Sequence, residues 1–398
     1  MLVNVIGMGY IGLPTALMLA SHGVRVIGTD TNKERITALR SQRKAFEEEG
    51  LDALFSKALS NGITFSTEYS EADIYIISVP TPYIKETQKI DPGYVISAVK
   101  SALEVCPEGG IIVIESTISP GTIDRYVRPL IGDRNIRIAH APERIIPGNM
   151  LYELEHNPRT IGADDPETGE MIKALYASFC KGEIVLTDVR TAEMSKVVEN
   201  TYRDINIAFA NELAKICRAA DMDVYEVIRI ANRHPRVNIL TPGPGVGGHC
   251  ISVDPWFLVG DYPDLAQLIH TARDVNDSMP AFVLSKIRSI MEEKGITDPA
   301  RVGLYGLTYK ENVDDTRESP TLQLLELPGT ESFRVYDPFV KNDLVPNQLH
   351  DFSKFLDAVD LVVIMVGHSE IRADLSRLEG KWVLDTRHIS EQDGFYRL

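Results

Sequence analysis

The sequence predicts an α/β protein in which two doubly wound domains are joined by a long central helix. Short apolar strands alternate with helical segments near the N-terminus, and roughly the last hundred residues loosely repeat the pattern of the first hundred. Between them, residues 191–220 show helical periodicity without glycine or proline. We therefore predict an N-terminal domain at residues 1–188, a central helical domain at 189–296 and a second α/β domain at 297–398.

Composition and charge argue against several classes of protein. The 398 residues are 44% hydrophobic and 25% charged, and the net charge of −16 disfavours nucleic-acid and anionic-membrane partners. The four cysteines include no Cys-x-x-Cys pair, so we predict no disulfide framework and no zinc or other metal site. No Lys or Arg precedes the apolar N-terminal run and glycines interrupt it, so we predict no signal peptide. No uninterrupted apolar run of ~20 residues is present, so we predict no membrane span, and we predict a cytoplasmic location.

The N-terminal stretch VNVIGMGYIG carries three glycines in G-x-G-x-x-G spacing between a predicted strand and a predicted helix. The glycines are Gly7, Gly9 and Gly12, and the elements are a strand at Val3–Ile6, a helix at Leu13–His22 and a strand at Val24–Gly28. Such a turn lets a pyrophosphate approach the helix N-terminus, which is typical of a Rossmann domain. Asp30 follows the second strand, where an acid accepts hydrogen bonds from ribose hydroxyls, so we predict NAD as the cofactor.

Three further buried-type strands of the first domain each end in polar residues. They are predicted at Ile74–Val79, Ile111–Glu115 and Ile136–Ala139, and are followed by SVPTP, ESTISPG and HAPERIIPG. Because ligands of open α/β sheets bind at the carboxyl ends of strands, Thr81, Thr117 and Glu143 are expected to face one cleft.

The long helix predicted at residues 191–220 carries a polar stripe. Lys196, Asn200 and Arg203 are spaced i, i+4 and i+7 and therefore share one face. An amine, an amide and a guanidinium together suit a polyoxygenated anion better than they suit an ordinary solvated face. Apolar residues on the other faces indicate a partner surface, consistent with a homodimer.

The loop GPGVGGHCISVDP, residues 243–255, places Cys250 among glycines and four residues before Asp254. Glycines let the backbone lie against a ligand, and a thiolate is well suited to attack a carbonyl carbon. Together with an NAD site, this predicts oxidation of an alcohol to an aldehyde, which Cys250 traps, and then to an acid through a thioester. Lys196 and Asn200 are the candidates for stabilising the oxyanion, and Asp254, Glu143 and Thr117 for moving protons, the last two through water.

The C-terminal domain repeats the nucleotide-binding pattern in degenerate form. RVGLYGLTYK corresponds to VNVIGMGYIG but lacks the full glycine spacing, and Asp337 takes the place of Asp30. We therefore expect no second dinucleotide there. The loop YKENVDDTRESP carries Lys310 and Arg317, which are suited to clamping phosphates.

Taken together, these motifs resemble the UDP-glucose/GDP-mannose dehydrogenase family. The resemblance covers nearly the whole chain and is carried by the glycine fingerprint, SVPTP, ESTISPG, KVVENTYRDINIAFANE, GGHC and YKENVDDTRESP. It implies a UDP-sugar substrate whose C6 alcohol is oxidised to a carboxylate with two NAD, Cys250 as nucleophile and Lys196 as a second catalytic residue. It also implies two Rossmann-like domains and a small all-α dimerisation domain around the long helix.

The resemblance further implies which residues contact ligands. Those for the substrate are Arg144, Lys196, Asn200, Arg203, His234, Arg236, Gly247, Tyr309 and Lys310, with Arg236 reaching the site of the other subunit. Those for NAD are Tyr10, Ile11, Asp30, Thr81, Thr117 and Arg317.

The identity of the sugar depends on the segment after Cys250. UDP-glucose dehydrogenases have Cys-x-Pro-Lys-Asp here, whereas this chain has Val253 before Asp254 and then PWF, which resembles the members that oxidise UDP-N-acetyl-D-mannosamine. The same chemistry on UDP-GlcNAc, UDP-glucose or GDP-mannose is the nearest alternative. A two-electron hydroxyacid dehydrogenase would leave Cys250 idle, and a non-catalytic NAD-binding sensor would not need Lys196, Asn200, Cys250 and Asp254 together.

Overall fold

The structure, a computed structural model, describes residues 1–43, 46, 48–145, 148–391 and 394–398. The chain forms two compact units, Met1–Glu199 and Asn200–Leu398. No helix among the described residues is both long enough and apolar enough to cross a bilayer.

The first unit is built on a parallel sheet. Its strands are β1 (Leu2–Ile6), β2 (Arg25–Thr29), β3 (Thr64–Ser66), β4 (Ile74–Ile77), β5 (Tyr83–Ile84), β6 (Lys89–Ile90), β7 (Ile111–Ile114), β8 (Arg137–His140), β9 (Arg159–Ala163) and β10 (Ile184–Thr187). Within the described residues, eight of them form one sheet in the order β10-β9-β8-β7-β4-β1-β2-β3, and β5 pairs with β6 in a separate hairpin. All pairs of the large sheet are parallel except β8 with β9.

Helices cover this sheet. They are α1 (Gly12–Ser21), α2 (Lys33–Arg40), α3 (Leu51–Ser60), α4 (Gly93–Val105), α5 (Arg128–Ile131), α6 (Met150–His156), α7 (Pro166–Tyr176) and the start of α8 (Val189–Ala219). All four residues of β4 and of β7 are buried, as expected of central strands that are covered on both faces. Every residue of α1 is also buried, which explains why GLPTALMLAS is apolar almost all round.

The second unit contains the remaining helices and a second sheet. The helices are the rest of α8, α9 (Val224–Ala231), α10 (Asp254–Asp261), α11 (Gln267–Asp277), α12 (Met279–Lys294), α13 (Pro320–Leu325), α14 (Phe352–Ala358) and α15 (Ser369–Ala373). The strands are β11 (Val302–Tyr305), β12 (Arg334–Tyr336), β13 (Gln348–Leu349), β14 (Leu361–Ile364), β15 (Trp382–Asp385) and β16 (Tyr396–Arg397). They pair in parallel in the order β13-β12-β11-β14-β15-β16 across the described residues.

The α/β class and the two Rossmann-like parallel sheets are confirmed, and the predicted long helix is present as α8, 31 residues long. Most element ends differ from prediction by a residue or two. The strand predicted at Ile74–Val79 ends at Ile77, although the Ser78 N–H still donates to the Ile6 carbonyl, 2.8 Å away.

The central helices share a hydrophobic core with the second sheet. Ala210 of α8 and Val283 and Ile287 of α12 belong to the same buried cluster as Leu304 of β11 and Val363 of β14. The division into three domains at residues 188 and 296 stays a prediction.

Candidate active site

The glycine turn after β1 has the geometry that a dinucleotide requires. Gly7 has φ +94°, and a Cβ there would lie 2.3 Å from the Ser78 carbonyl oxygen, while a Cβ at Gly12 would lie 1.9 Å from the Gly7 carbonyl oxygen. Glycine is required at these two positions for the fold to form, because β1, β4 and α1 pack so closely. Around Gly9, in contrast, no described atom lies within 4 Å of an added Cβ. Gly9 therefore borders open space of the kind that a pyrophosphate fills.

Asp30 lies at the carboxyl end of β2 and is 7% exposed. Its carboxylate accepts hydrogen bonds from the N–H groups of Met8 and Asn32, each 2.8 Å long, and pairs with Arg35 at 2.8 Å. These contacts fix the carboxylate beside the glycine turn, where it can accept from ribose hydroxyls. The turn, the open space and the fixed acid together fit NAD.

Three more side chains predicted to contact NAD, those of Tyr10, Thr81 and Thr117, follow strands of the same sheet. The Tyr10 ring stacks on Phe46 with centroids 4.5 Å apart. Thr81 and Thr117 follow β4 and β7, which are adjacent strands, and both side chains are half-buried. These two residues thus follow neighbouring strands, and their contacts with the cofactor stay predictions.

Glu143, the third strand-end residue, is engaged in a buried ion pair. It is 8% exposed, and one carboxylate oxygen accepts a short hydrogen bond from Arg159. Arg159 also lies 3.7 Å from Glu115, which is fully buried. Burial, and to a lesser extent the Glu143 charge, raises the pKa of Glu115 to about 7 against the opposing effect of Arg159. Sequence reasoning missed Glu115 and Arg159, because their partners lie far away along the chain.

Arg144 is held by the first unit. Its guanidinium donates to the Pro158 carbonyl at 2.8 Å and to the Thr160 hydroxyl at 2.9 Å, and pairs with Glu199 at 2.5 Å. Its role in substrate binding stays a prediction.

Helix α8 presents the polar stripe, but its members differ in burial. Lys196 is 7% exposed and Asn200 is 5% exposed, whereas Arg203 lies on the surface. One turn before Lys196, the buried Glu193 accepts from the N–H groups of Gly121 and Ile123, at 2.5 and 3.0 Å. Glu193 therefore ties the ESTISPG loop to α8, and its burial raises its pKa to about 7.

In the second unit, Cys250, Asp254 and Asn200 lie together. The Cys250 carbonyl accepts from the Asp254 N–H at 2.8 Å, just before α10 begins. Asp254 is 2% exposed, and its carboxylate accepts from the Asn200 side chain at 2.6 Å. Cys250 is half-buried, while the other three cysteines are buried.

The glycines before Cys250 allow close packing against the loop after β11. Gly248 has φ +85°, and a Cβ there would lie 2.9 Å from the Tyr309 ring; its N–H donates to the Arg317 carbonyl at 2.9 Å. A Cβ at Gly247 would lie 2.5 Å from the Glu318 carbonyl oxygen. Glycine at these positions is therefore required for the cysteine loop and the 309–318 loop to adjoin.

Two asparagines of α8 hold the backbone that leads into the cysteine loop. Asn206 donates to the Asn238 carbonyl at 2.8 Å and accepts from the Leu240 N–H at 2.9 Å. Asn211, fully buried, accepts from the Gly243 N–H at 2.9 Å. Sequence reasoning missed both, although polar amides inside the apolar run NIAFAN are a usable signal.

The side chains predicted to clamp phosphates, Arg317 and Lys310, and two predicted substrate contacts, His234 and Arg236, lie on two loops of the second unit. Arg317 forms an ion pair with Asp315 at 2.5 Å, and this hydrogen bond, with a smaller contribution from the Cys250 charge, raises the pKa of Arg317. Lys310 is half-buried on the same loop. His234 and Arg236 follow α9 and are exposed. No metal-binding group of three or more His, Cys, Asp or Glu side chains occurs among the described residues.

The first unit has the glycine turn of a dinucleotide crevice, and the second unit has a cysteine, a carboxylate and an amide close together. This combination defines an NAD-dependent oxidoreductase. Comparison with family models identifies the type. The NAD-binding, central and UDP-binding domains of the UDP-glucose/GDP-mannose dehydrogenase family match residues 1–180, 190–278 and 303–392. The chain therefore belongs to the UDP-glucose/GDP-mannose dehydrogenase family.

Known relatives agree over almost the full length. The chain is 44% identical to UDP-N-acetyl-D-mannosamine dehydrogenase of Methanocaldococcus jannaschii, covering 99% of this chain and 95% of that protein. The solved UDP-N-acetyl-mannosamine dehydrogenase of Staphylococcus aureus has 41% identity and a TM-score of 0.90, with 100% and 98% of the two chains covered. That of Pyrococcus horikoshii has 36% identity and a TM-score of 0.92, with the same coverage.

These comparisons confirm the predicted family, NAD as cofactor and a UDP-sugar as substrate. They do not test the roles predicted for individual residues.

Proposed function

We propose that the protein oxidises the C6 hydroxyl of UDP-N-acetyl-D-mannosamine to a carboxylate, producing UDP-N-acetyl-D-mannosaminuronate. The observation that carries the chemistry is the buried hydrogen bond between Asn200 and Asp254, 2.6 Å long, beside the half-buried Cys250. The sugar is supported by the relatives, which are named as dehydrogenases of this substrate. NAD, when bound, accepts a hydride in each of the two oxidations.

Cys250 acts as the nucleophile. Its thiolate adds to the C6 aldehyde to form a thiohemiacetal, loss of hydride from that carbon forms a thioester, and water then releases the acid and regenerates the thiol. Lys196, which lies one helical turn before Asn200 on α8, stabilises the oxyanion with its positive charge. Asn200 orients that oxygen or the attacking water, since its amide is fixed by Asp254.

Proton transfer is assigned to carboxylates and to Thr117. Asp254 assists at the cysteine, where its backbone already contacts Cys250. Glu143 and Thr117 act through water, and the ion pair with Arg159 fixes the position of the Glu143 carboxylate.

Ligand contacts are assigned as the sequence predicts. For NAD they are Gly7, Gly9, Tyr10, Ile11, Gly12, Asp30, Thr81, Thr117 and Arg317. For the UDP-sugar they are Arg144, Lys196, Asn200, Arg203, His234, Arg236, Gly247, Tyr309 and Lys310.

The decisive experiment measures NADH released per UDP-N-acetyl-D-mannosamine consumed, with UDP-GlcNAc, UDP-glucose and GDP-mannose in parallel. We expect two NADH per UDP-N-acetyl-D-mannosamine and slow turnover of the other sugars. Cys250→Ala should form no acid, whereas the matched control Cys217→Ala, which changes a buried cysteine, should still release two NADH.

Each other outcome has a defined meaning. One NADH per sugar would refute the thioester route, and two NADH on a different sugar would keep the chemistry but reject the substrate. NAD binding without turnover of any sugar would favour a sensor.

We further propose a homodimer that forms through α8. Tyr202, Phe209 and Ile216 are spaced seven residues apart on this helix and are 62%, 52% and 51% exposed. Such an apolar stripe on an otherwise charged surface is typical of an interface. Phe209→Asp should convert the dimer to a monomer in size-exclusion chromatography with light scattering, whereas the exposed control Glu212→Ala should not. A dimer in both variants would contradict the assignment.

The finer organisation is proposed on the same basis. The segments 1–188, 189–296 and 297–398 act as NAD-binding, all-α dimerisation and UDP-sugar-binding domains. A cytoplasmic location is proposed as well, since the spacing of the four cysteines is not that of a disulfide framework.

A further inference from the structure

The two nucleotide folds begin with the same backbone geometry. The Gly7 N–H donates to the Thr29 carbonyl at 2.7 Å, and the Gly306 N–H donates to the Tyr336 carbonyl at 2.8 Å. Both glycines have positive φ, +94° and +101°. The first turn after β11 therefore corresponds residue by residue to the first turn after β1.

The acidic residue after the second strand is also retained. The Met8 N–H donates to Asp30 at 2.8 Å, and the Leu307 N–H donates to Asp337 at 2.6 Å. Asp337 is 2% exposed and Asp30 is 7% exposed, so both carboxylates are buried at the ends of their strands.

The strand register of the two sheets shows which residues of the second fold correspond to the dinucleotide crevice of the first. Ile6 pairs with Ile77 in the first sheet, and Tyr305 pairs with Ile364 in the second. Counting onward along each chain segment, Thr308 corresponds to Gly9 and His368 corresponds to Thr81. Both Thr308 and His368 are fully buried, whereas Gly9 borders open space.

His368 bridges the two sides of that filled crevice. Its Nε2 lies 3.2 Å from Asp337 Oδ2, and its Nδ1 accepts a hydrogen bond from the Asn312 N–H at 2.9 Å. Because Nδ1 accepts a hydrogen bond, Nε2 is the ring nitrogen that donates to Asp337. The Ser369 N–H and hydroxyl both donate to the Asn312 side chain, at 2.9 and 2.7 Å. Asn312 is therefore held through its side chain as well as through its backbone.

The loop that is held in this way carries Tyr309 and Lys310. Its far end is tied to the cysteine loop by the Gly248 N–H, which donates to the Arg317 carbonyl. Its near end turns at Asn312, which has φ +59° and so depends on its hydrogen bonds to keep that conformation.

We propose that His368 is a positioning residue for the UDP-sugar site. Asp337 corresponds to Asp30 of the first fold, and His368 corresponds to Thr81, a predicted NAD contact. Together Asp337 and His368 hold Asn312 so that Tyr309 and Lys310 face the substrate. The proposal deepens the proposed function and rests on it for the roles of Tyr309 and Lys310.

The test compares His368→Ala, His368→Asn and the control His350→Ala, which alters an exposed histidine of the same unit. His368→Ala should speed amide hydrogen exchange in residues 309–317 and raise KM for the UDP-sugar about tenfold, since the Asn312 N–H loses its acceptor. KM for NAD should stay unchanged. His368→Asn keeps an acceptor near the Nδ1 position and should recover part of the loss, and His350→Ala should match the wild type.

A second variant covers the case in which His368→Ala does not fold. Asn312→Gly changes an exposed residue to one that tolerates φ +59°, and removes the contact with Ser369; it should raise the same KM about threefold. Wild-type exchange rates in His368→Ala, or equal rises in both KM values, would overturn the proposal. The exchange measurement does not need turnover, so failure of the proposed function in the wild type would be recognised separately.

Discussion

Gly9→Ala should weaken NAD binding without lowering the stability of the protein. In the structure, no described atom lies within 4 Å of the added Cβ, so the methyl group would project into the space assigned to NAD. Protein stability should not fall, and the lower entropy of the unfolded chain should favour folding slightly, by about 0.4–1 kcal/mol.

The size of the effect follows from overpacking. An extra methyl group in a well-filled contact costs about 1–3 kcal/mol, which corresponds to a rise of roughly fivefold to 150-fold in KM for NAD. Gly12→Ala is the opposite case, because its Cβ would lie 1.9 Å from the Gly7 carbonyl oxygen and the backbone must move. That variant should lose thermal stability as well as NAD binding.

The assay pairs calorimetry with initial rates at varied NAD concentration. We expect Gly9→Ala to melt at or slightly above the wild-type temperature with a raised KM for NAD. An unchanged KM would refute the placement of the dinucleotide against Gly9, and a lowered melting temperature would refute the open space.

Two further predictions concern buried polar groups. The pKa of Glu115 is raised to about 7, so the folded state retains a proton that the unfolded chain releases, and stability falls as pH rises between about 4.5 and 7. Glu115→Gln should therefore gain about 4 °C in melting temperature relative to the wild type between pH 5 and pH 8. A difference in melting temperature that stays constant over this pH range would contradict the raised pKa. Asn211→Ala leaves the Gly243 N–H without its acceptor, and should lower the melting temperature by about 2–6 °C and reduce kcat. Glu212→Ala, on the same helix, should change neither quantity. Equal melting temperatures and equal rates in the two variants would contradict this prediction.

The candidate site was predictable where a local pattern carries the information. The glycine spacing, the polar residues at strand ends and the repeat of the first fold in the second are all visible in short windows. Cys250 could be distinguished from the other cysteines by its glycine-rich neighbours alone, and its partial exposure agrees with that choice.

The partners of the charged residues were not predictable. Glu143 and Arg144 follow β8 as expected, but their pairing with Arg159 and with Glu199 depends on residues 16 and 55 positions away, brought near by the fold. Neither interaction has a sequence spacing that helical or strand periodicity could reveal.

The sequence by itself determined the two nucleotide folds and the cofactor class, and it singled out Cys250 as the candidate nucleophile, because hydrophobic period and turn chemistry act over a few residues. Only the tertiary structure decided that Thr308 and His368 fill the second crevice and that Asn206 and Asn211 hold the cysteine loop. The physical reason is that a buried polar group must find its partner within hydrogen-bonding distance in space, and that distance carries no signature along the chain.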